Sequence, residues 1–273
     1  MGGTPTLTRV ESDGIFYYTD AALRERSGIV VAFSERAGGV SVAPYATLDL
    51  AAHTGDDPDC VAANRARFLE AVGLAALAAR TTTAEQVHGS AVIEVAGDLV
   101  GAGARPGDTE HPPLPGVDAL LTREQDVPLV LFFADCVPVV LVSESSRAVA
   151  VAHAGWRGAL AGVCSKTAGA LRSVCGDPHD LVAYIGPHIG VCCYEVGPAV
   201  VSQFDAMFAT IPRASGRLDL AAAVAEDLDR AGIPKERQCH LGICTAHNTD
   251  RFYSYRAEGR TGRHAALAVV LSS

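Results

Sequence analysis

Short apolar runs alternate with polar, glycine-rich segments along the whole chain, and no segment is repeated. Such runs, when bounded by turn-forming residues, are typical of buried strands. The pattern predicts strands at residues 29–33, 81–87, 91–95, 137–142, 148–152, 181–185, 241–245 and 264–271. It predicts helices that start at Pro58 and continue through Leu69, and at residues 159–174, 198–209 and 218–231. No linker divides the chain, so we expect one α/β (α+β) domain over residues 1–273, with mixed β-sheets covered by helices.

The polar segment at residues 143–146 separates two of these strands and predicts a β-hairpin. If the hairpin turns near Ser145, residues equally far from the turn face each other across the two strands. This register places His153 opposite Val137 or its neighbours. Cys136 and His153 are therefore expected to lie close together.

A second histidine, His88, lies between two predicted strands, at a strand end or tight turn. Two imidazoles and one thiolate suit a catalytic zinc ion, which takes three protein ligands and keeps a fourth position open. Zinc held in this way activates water near neutral pH. We therefore take His88, Cys136 and His153 as the candidate metal ligands.

Composition and charge exclude several classes of function. The 273-residue chain is 49% hydrophobic and has a formal net charge of -9, without a block of lysines or arginines. A duplex nucleic-acid surface needs a basic stripe, so no nucleic-acid partner is expected. No uninterrupted apolar run reaches the roughly 18 residues of a membrane span, and no basic region leads into one near the start. We expect a cytoplasmic monomer without a membrane partner.

Most of the eight cysteines have no evident chemical context. Without an export signal they are expected to be free thiols or ligands rather than a disulfide framework. The adjacent pair Cys192 and Cys193, in a glycine-rich segment, is expected to be structural. Cys239 and Cys244 flank His240 without the two-residue knuckle of a structural zinc site, which leaves Cys136 as the chemical candidate.

Seven separated motifs occur in an order that resembles a known family. They are F-S-x-R-x-G-G-V-S at 33–41, H-x-G-D-D at 53–57, Q-V-H-G at 86–89, A-D-C-x-P at 134–138, H-A-G-W-R-G at 153–158, I-G-P-x-I-G-x-C-C-Y-E-V-G at 185–197 and S-Y-R at 254–256. Together they resemble the purine nucleoside phosphorylase family, also known as laccase-domain or polyphenol oxidase proteins. The similarity covers almost the whole chain. One departure is Glu35, where the family usually has a small or hydroxyl residue.

The resemblance implies a cytoplasmic enzyme that converts purine nucleosides and phosphate to free base and ribose 1-phosphate. The implied substrates are adenosine, inosine and 5'-methylthioadenosine, and the implied second activity is adenosine deamination. The family's metal ligands fall on His88, Cys136 and His153. Zinc is the expected ion, although a Cys-His-His set also accepts copper.

Other residues are expected to serve these two reactions. Asp135 is the acid nearest in sequence to Cys136, and it is the candidate for protonating ammonia as it leaves adenosine. Phosphorolysis requires phosphate to approach C1' of the ribose while negative charge accumulates on the leaving purine. Arginine binds phosphate well. Arg36, in its glycine-rich loop, is the first candidate for this role and Arg256 is the second.

Three alternatives stay open from the residues alone. A copper-dependent polyphenol oxidase is favoured by the thiolate and imidazoles but disfavoured because the nine histidines are scattered rather than paired. A metal-free hydrolase would use Cys136 as nucleophile and His153 as base, which the hairpin permits equally well. A non-enzymatic sensor would bind a nucleoside without turning it over.

Overall fold

The computed structural model describes residues 4–176, 180–208 and 216–272. The strands are β1 (Thr8–Ser12), β2 (Ile15–Thr19), β3 (Ile29–Ser34), β4 (Val92–Glu94), β5 (Ala119–Thr122), β6 (Leu129–Phe133), β7 (Val137–Ser143), β8 (Ala148–Ala154), β9 (Leu181–Ile185), β10 (Gln238–His240) and β11 (His264–Val270). The α-helices are α1 (Ala21–Ser27), α2 (Pro58–Ala71), α3 (Trp156–Leu160), α4 (Val163–Val174), α5 (Pro198–Met207), α6 (Leu220–Arg230) and α7 (Tyr255–Glu258). None of the helices in these ranges is long and apolar enough to cross a membrane.

Two sheets stack face to face between layers of helices. The first is antiparallel, in the order β1-β2-β3-β11-β6. The second is mixed, in the order β10-β9-β7-β8-β5-β4, with parallel pairs at both edges and antiparallel pairs in the middle. The predicted class, an α/β domain with sheets covered by helices, is confirmed.

The alternation of side chains along β7 shows how the layers pack. Val139 and Leu141 belong to a buried cluster with residues of α4 and α6. Val140 and Val142 belong to a second cluster, shared with β3 and β6 of the antiparallel sheet. Successive side chains of a strand point to opposite faces, so a strand buried on both faces is apolar throughout. A third cluster joins the far side of the antiparallel sheet to α2.

The predicted hairpin forms with the expected register. Strands β7 and β8 pair antiparallel, with His153 opposite Pro138 and Ala154 opposite Val137. The start of β7, just after Cys136, and the end of β8, which holds His153, therefore lie at the same end of the mixed sheet. The hairpin therefore brings Cys136 and His153 together, as predicted.

The predicted strand at 81–87 is wrong. This segment makes only isolated bridges, through Thr82 and Ala84, and otherwise runs as a loop. Its residues 81–84 are buried between neighbouring elements. Its backbone N–H groups at residues 82, 83 and 85 donate to Pro128, Ala102 and Leu114 in turn, so this extended, threonine-rich segment contacts several neighbours briefly and pairs with none of them along its length.

Three further predictions need correction. The predicted helix at 159–174 is two helices, α3 and α4, because Gly162 adopts φ of 70°, in the left-handed region that interrupts a helix. The predicted strand at 241–245 is displaced to β10, and Gly242, with φ of 64°, turns the chain after it. The helix predicted at 198–209 ends at Met207, and its last residue lies outside the described residues.

Candidate metal centre

His88, Cys136 and His153 converge at the end of the β7–β8 hairpin. Their ligand atoms all lie within 4.8 Å of one another. The two imidazole rings meet edge to face, with centroids 4.8 Å apart and an interplanar angle of 78°. His153 lies on β8, Cys136 directly precedes β7, and His88 comes from the loop before β4. The three residues proposed from sequence therefore form one group that could hold a metal ion.

Asp118, which the sequence analysis did not identify, orients both histidines. Its carboxylate accepts a hydrogen bond from Nδ1 of His153 at 2.8 Å. It also accepts the backbone N–H groups of Val87, His88 and Gly89, at 3.2, 2.9 and 2.6 Å. A metal-ligating histidine commonly donates its other ring nitrogen to a carboxylate, which fixes the ring and leaves the opposite nitrogen for the metal. Asp118 provides this contact for His153.

Backbone conformation at the site is unusual for residues other than glycine. His88 has φ of 61° and Asp135 has φ of 96°. Both values lie in the left-handed region, which costs non-glycine residues free energy and is enriched at functional sites. At His88, the hydrogen bonds from residues 87–89 to Asp118 hold this conformation in place.

Two glycines let α3 approach the centre closely. A Cβ atom at Gly155 would lie 2.8 Å from Cδ2 of His88 and 3.1 Å from Sγ of Cys136. A Cβ atom at Gly158 would lie 2.7 Å from the carbonyl oxygen of Gly89. The 2.8 Å and 2.7 Å contacts are shorter than real Cβ contacts, so a larger residue at either position of the H-A-G-W-R-G motif would force its neighbours to move.

The thiol and imidazole that face each other are electrostatically coupled. Burial opposes ionisation of Cys136, but the charge of His153 and hydrogen bonds from His153 and His88 outweigh it and lower the Cys136 pKa to about 6. Burial likewise opposes the charged form of His153, whereas Cys136 and Asp118 stabilise it and raise the His153 pKa to about 9. Without a metal the pair is stabilised as thiolate and imidazolium. A thiolate is the form of cysteine that binds a metal ion or attacks an electrophile.

The centre opens into a pocket of about 330 Å³. This volume lies in the range of small-molecule sites, roughly 300–1,000 Å³. The wall combines aromatic and basic side chains with the candidate ligands; they are Phe132, Trp156, Tyr194, Tyr255, Arg157, Arg256, Arg263 and His53. Burial, together with the positive charge of Arg263 and Arg65, lowers the pKa of His53 to about 4. His53 is therefore neutral at pH 7.

The two arginines proposed to bind phosphate lie in different places. Arg256 lines the pocket, and its Nη1 donates to the carbonyl oxygen of Glu195 at 2.7 Å. Arg36 is absent from the pocket wall and lies under Tyr253, 4.3 Å from the ring centroid. Its guanidinium donates to the carbonyl of Thr249 at 2.6 Å and to Glu258 at 2.8 Å. The structure thus brings Arg256, but not Arg36, to the candidate metal centre.

Asp135 lines the pocket but is heavily engaged. Its Oδ1 accepts hydrogen bonds from the hydroxyls of Thr245 and Ser254, both at 2.7 Å. Its Oδ2 accepts the backbone N–H of Arg256 at 2.6 Å. The carboxylate therefore joins the start of β7 to two other segments of the chain.

Comparison with known proteins agrees with this architecture. A family described as multi-copper polyphenol oxidoreductase laccase matches residues 30–271, and the chain belongs to that family. The family resemblance predicted from the seven motifs is confirmed.

Curated relatives carry a different functional name. Purine nucleoside phosphorylase SCO2081 of Streptomyces coelicolor is 37% identical over 243 residues, which cover 88% of this chain and 94% of that protein. Purine nucleoside phosphorylase YfiH of Escherichia coli is 34% identical over 252 residues, which cover 88% of this chain and 93% of that protein. The crystal structure of YlmD from Geobacillus stearothermophilus aligns with a TM-score of 0.87 at 33% identity, over 98% of this chain and 100% of that one.

Proposed function

We propose that this protein is a zinc-dependent purine nucleoside phosphorylase that acts on adenosine, inosine and 5'-methylthioadenosine. The observation that carries the proposal is the convergence of His88, Cys136 and His153 at a pocket lined by three arginines. The names of the relatives support the same reaction. We further propose that the enzyme works as a cytoplasmic monomer whose partners are the nucleoside and phosphate.

The donor set fits zinc in kind and number. Two imidazoles and one thiolate make a three-ligand site, the type that leaves one position open for chemistry. When bound, zinc supplies Lewis-acid activation at that position. Asp118 keeps the Nδ1 of His153 occupied, so that Nε2 is the nitrogen left to bind. Gly155 leaves the space that the His88 ring and the Cys136 sulfur occupy.

The arginines of the pocket wall are suited to bind phosphate. Arg157, Arg256 and Arg263 all line the pocket, and guanidinium groups form charge-assisted hydrogen bonds with phosphate oxygens. In phosphorolysis a phosphate oxygen bonds to C1' of the ribose as the bond from C1' to N9 breaks. The electron pair of that bond stays on the purine, which then takes up a proton. We propose that these arginines hold the phosphate for this displacement.

The purine base needs an apolar wall with hydrogen-bonding groups at its edge. Phe132, Trp156, Tyr194 and Tyr255 supply aromatic surface in the pocket. Neutral His53 adds a ring nitrogen that donates a hydrogen bond and one that accepts, without adding charge. This combination suits a neutral heteroaromatic base.

Adenosine deamination is proposed as a second activity at the same pocket. Water adds at C6 and the bond from C6 to the amino nitrogen breaks, so the base gains a carbonyl oxygen while the departing amino group takes up a proton and leaves as ammonia. Asp135 already accepts hydrogen bonds from Thr245, Ser254 and Arg256. We therefore propose that Asp135 positions these segments rather than transferring the proton.

A metal-free cysteine hydrolase is the second candidate function. Asp118, His153 and Cys136 form a chain in which the carboxylate orients the imidazole and the imidazole contacts the thiol. This is the arrangement of an activated nucleophile with an oriented base. Full turnover after complete removal of metal would favour this candidate over the zinc enzyme.

A copper polyphenol oxidase is the third candidate, and it rests on the description of the family. Within the described ranges, two groups of three or more potential ligands were found, and one of these contains three cysteines and a single histidine. Paired histidine clusters of the multicopper kind are not formed among these residues. Phenol oxidation that depends on added copper would favour this candidate.

Product analysis tests the proposed function. Purified protein of known metal content is incubated with adenosine, inosine or 5'-methylthioadenosine, with and without phosphate, and the products are separated by chromatography. We expect free base and ribose 1-phosphate only when phosphate is present, and inosine from adenosine in either case. Cys136→Ala should abolish both reactions, whereas Cys60→Ala, at a half-buried position of α2 outside the pocket wall, should retain them. Release of free base at the same rate with and without phosphate would contradict the proposal.

A further inference from the structure

A second group of potential metal ligands lies outside the centre described above. Cys192, Cys193, Cys244 and His247 have ligand atoms that all lie within 4.8 Å of one another. The group shares no residue with the His88, Cys136 and His153 set. We propose that these four residues form a second metal site, which binds zinc in a structural role.

The donor set and spacing match a closed zinc site. Three thiolates and one imidazole complete a tetrahedral shell, and structural zinc sites of this composition leave no position open for chemistry. With typical zinc bond lengths, sulfur and nitrogen ligands on one tetrahedral ion lie about 3.6 Å apart. Sγ of Cys192 lies 3.5 Å from Nδ1 of His247. This pair is therefore already at the separation expected of two ligands on one zinc ion, and the other ligand atoms lie within 4.8 Å of them.

The surrounding backbone makes room for the sulfur atoms. A Cβ atom at Gly190 would lie 3.1 Å from Sγ of Cys192 and 3.2 Å from Cβ of Cys244. The N–H of Gly190 donates a hydrogen bond to Sγ of Cys244 at 3.2 Å. Hydrogen bonds from backbone amides to sulfur favour the thiolate, the form that binds zinc.

The four ligands come from two segments that are far apart in sequence. Cys192 and Cys193 lie in the loop between β9 and α5, whereas Cys244 and His247 follow β10. Zinc bound here would cross-link the two loops. Cys244 and His247 are separated by two residues, the short spacing typical of metal ligands, whereas Cys239, His240 and Cys244 lack such a spacing.

Both loops reach the pocket of the first centre. Tyr194, next to Cys193, lines that pocket. Thr245, next to Cys244, donates its hydroxyl hydrogen to Asp135 at 2.7 Å. A zinc ion that fixes these loops would therefore also fix one wall of the pocket, although it would not take part in chemistry.

Metal stoichiometry tests the proposal. The full chain is purified under reducing conditions, loaded with zinc, desalted and analysed by plasma mass spectrometry. We expect two zinc ions per chain in the wild type, one in Cys136→Ala, one in Cys244→Ser and none in the double variant. Cys239→Ser, on neighbouring β10 but outside the cluster, is the matched control and should retain two. His247→Ala provides an independent variant should Cys244→Ser fail to fold.

A stability measurement separates a structural site from adventitious binding. In the Cys136→Ala background, removing zinc with a chelator should lower the thermal midpoint, and adding Cys244→Ser should eliminate this dependence. A wild type that binds one zinc, lost entirely in Cys136→Ala, would overturn the proposal. A zinc content of two that both Cys244→Ser and His247→Ala leave unchanged would also overturn it. So would a disulfide within the cluster that is still present after treatment with a reductant.

Discussion

Oδ1 of Asp118 lies 2.8 Å from Nδ1 of His153, and the same oxygen accepts the backbone N–H of His88 at 2.9 Å. One buried carboxylate thus orients two of the three candidate ligands, one through its ring and the other through its main chain. The preorganisation of the centre depends on a residue that would not itself touch the metal.

Asp118→Asn should weaken zinc binding at the His88, Cys136 and His153 centre. The amide is uncharged and has one acceptor oxygen instead of two. It therefore binds the Nδ1–H of His153 more weakly than the carboxylate does. Loss of such a contact typically costs about 10–100-fold in metal affinity. The affinity is measured by competition with a chromogenic chelator in the Cys244→Ser background, so that one site is observed. Asp126→Asn, whose carboxylate accepts from Ser272 away from the pocket, should leave it unchanged.

Alkylation of the metal-free protein tests the electrostatics of Cys136. The Cys136 pKa of about 6 lies below the ordinary value, so the thiolate predominates above pH 6 and is lost as the pH falls through it. We expect the iodoacetamide reaction at Cys136, followed by peptide mass spectrometry, to rise with a midpoint near pH 6. Burial and the acidic residues beside Cys60 raise the pKa of Cys60, so its reaction should rise only at alkaline pH. A midpoint near 9 at Cys136 would show that His153 does not stabilise the thiolate.

Gly155→Ala should displace the ligands without removing any of them. The new Cβ atom would lie 2.8 Å from the His88 ring, and either the ring or α3 must move. We expect reduced zinc occupancy of the first centre and loss of nucleoside turnover, with the zinc of the second site retained. Gly169→Ala, in α4, meets no atom within 4 Å and serves as the control. Full occupancy in Gly155→Ala would mean that α3 adjusts freely.

The core of the candidate centre could be predicted from sequence because a hairpin fixes register. A polar turn between two apolar runs specifies which residues face each other. His153 pairs with Pro138, two residues from Cys136. Asp118 could not be found in this way. Asp118 directly precedes β5, the neighbour of β8, and the pairing of these two strands joins segments about thirty residues apart with no short turn between them.

Arg36 shows a different limit of sequence reasoning. A glycine-rich loop with an arginine is typical of an anion site, but the same residues also build a tightly packed loop. The guanidinium of Arg36 is satisfied by carbonyl groups from residues more than two hundred positions away. Partners so distant depend on tertiary packing, which a local pattern does not contain.

Glu35→Gln should destabilise the fold at neutral pH. The Glu35 side chain is 2% exposed and binds both Arg9, at 2.7 Å, and Arg251, at 2.6 Å. Burial raises the pKa of Glu35, but the two arginines outweigh it and lower the pKa below its ordinary value. Removing one partner of a buried ion pair typically costs about 3–5 kcal/mol, and we expect about 2 kcal/mol because both arginines are partly exposed.

The pH dependence of this effect has a defined sign. Because the folded pKa of Glu35 is lowered, its contribution is full above the unfolded pKa of about 4.3 and is lost as the pH falls through the folded value. Urea unfolding of the wild type and Glu35→Gln should therefore differ at pH 7 and converge at acidic pH. Glu11→Gln, on exposed β1, is the control. A difference that persists unchanged in acid would mean that Glu35 acts through packing.

Arg256→Met should impair phosphate binding, whereas Arg36→Met should impair stability. Arg256 lines the pocket, so its loss should raise the KM for phosphate about tenfold, the effect of about 1.4 kcal/mol, while adenosine deamination continues. Arg36 donates to partly buried backbone carbonyl groups and to Glu258, so its loss should lower the free energy of unfolding by about 2 kcal/mol and leave the phosphate KM of the folded enzyme unchanged. Steady-state kinetics at varied phosphate and urea unfolding separate the two effects. A phosphate KM raised only in Arg36→Met would instead return the anion site to the glycine-rich loop.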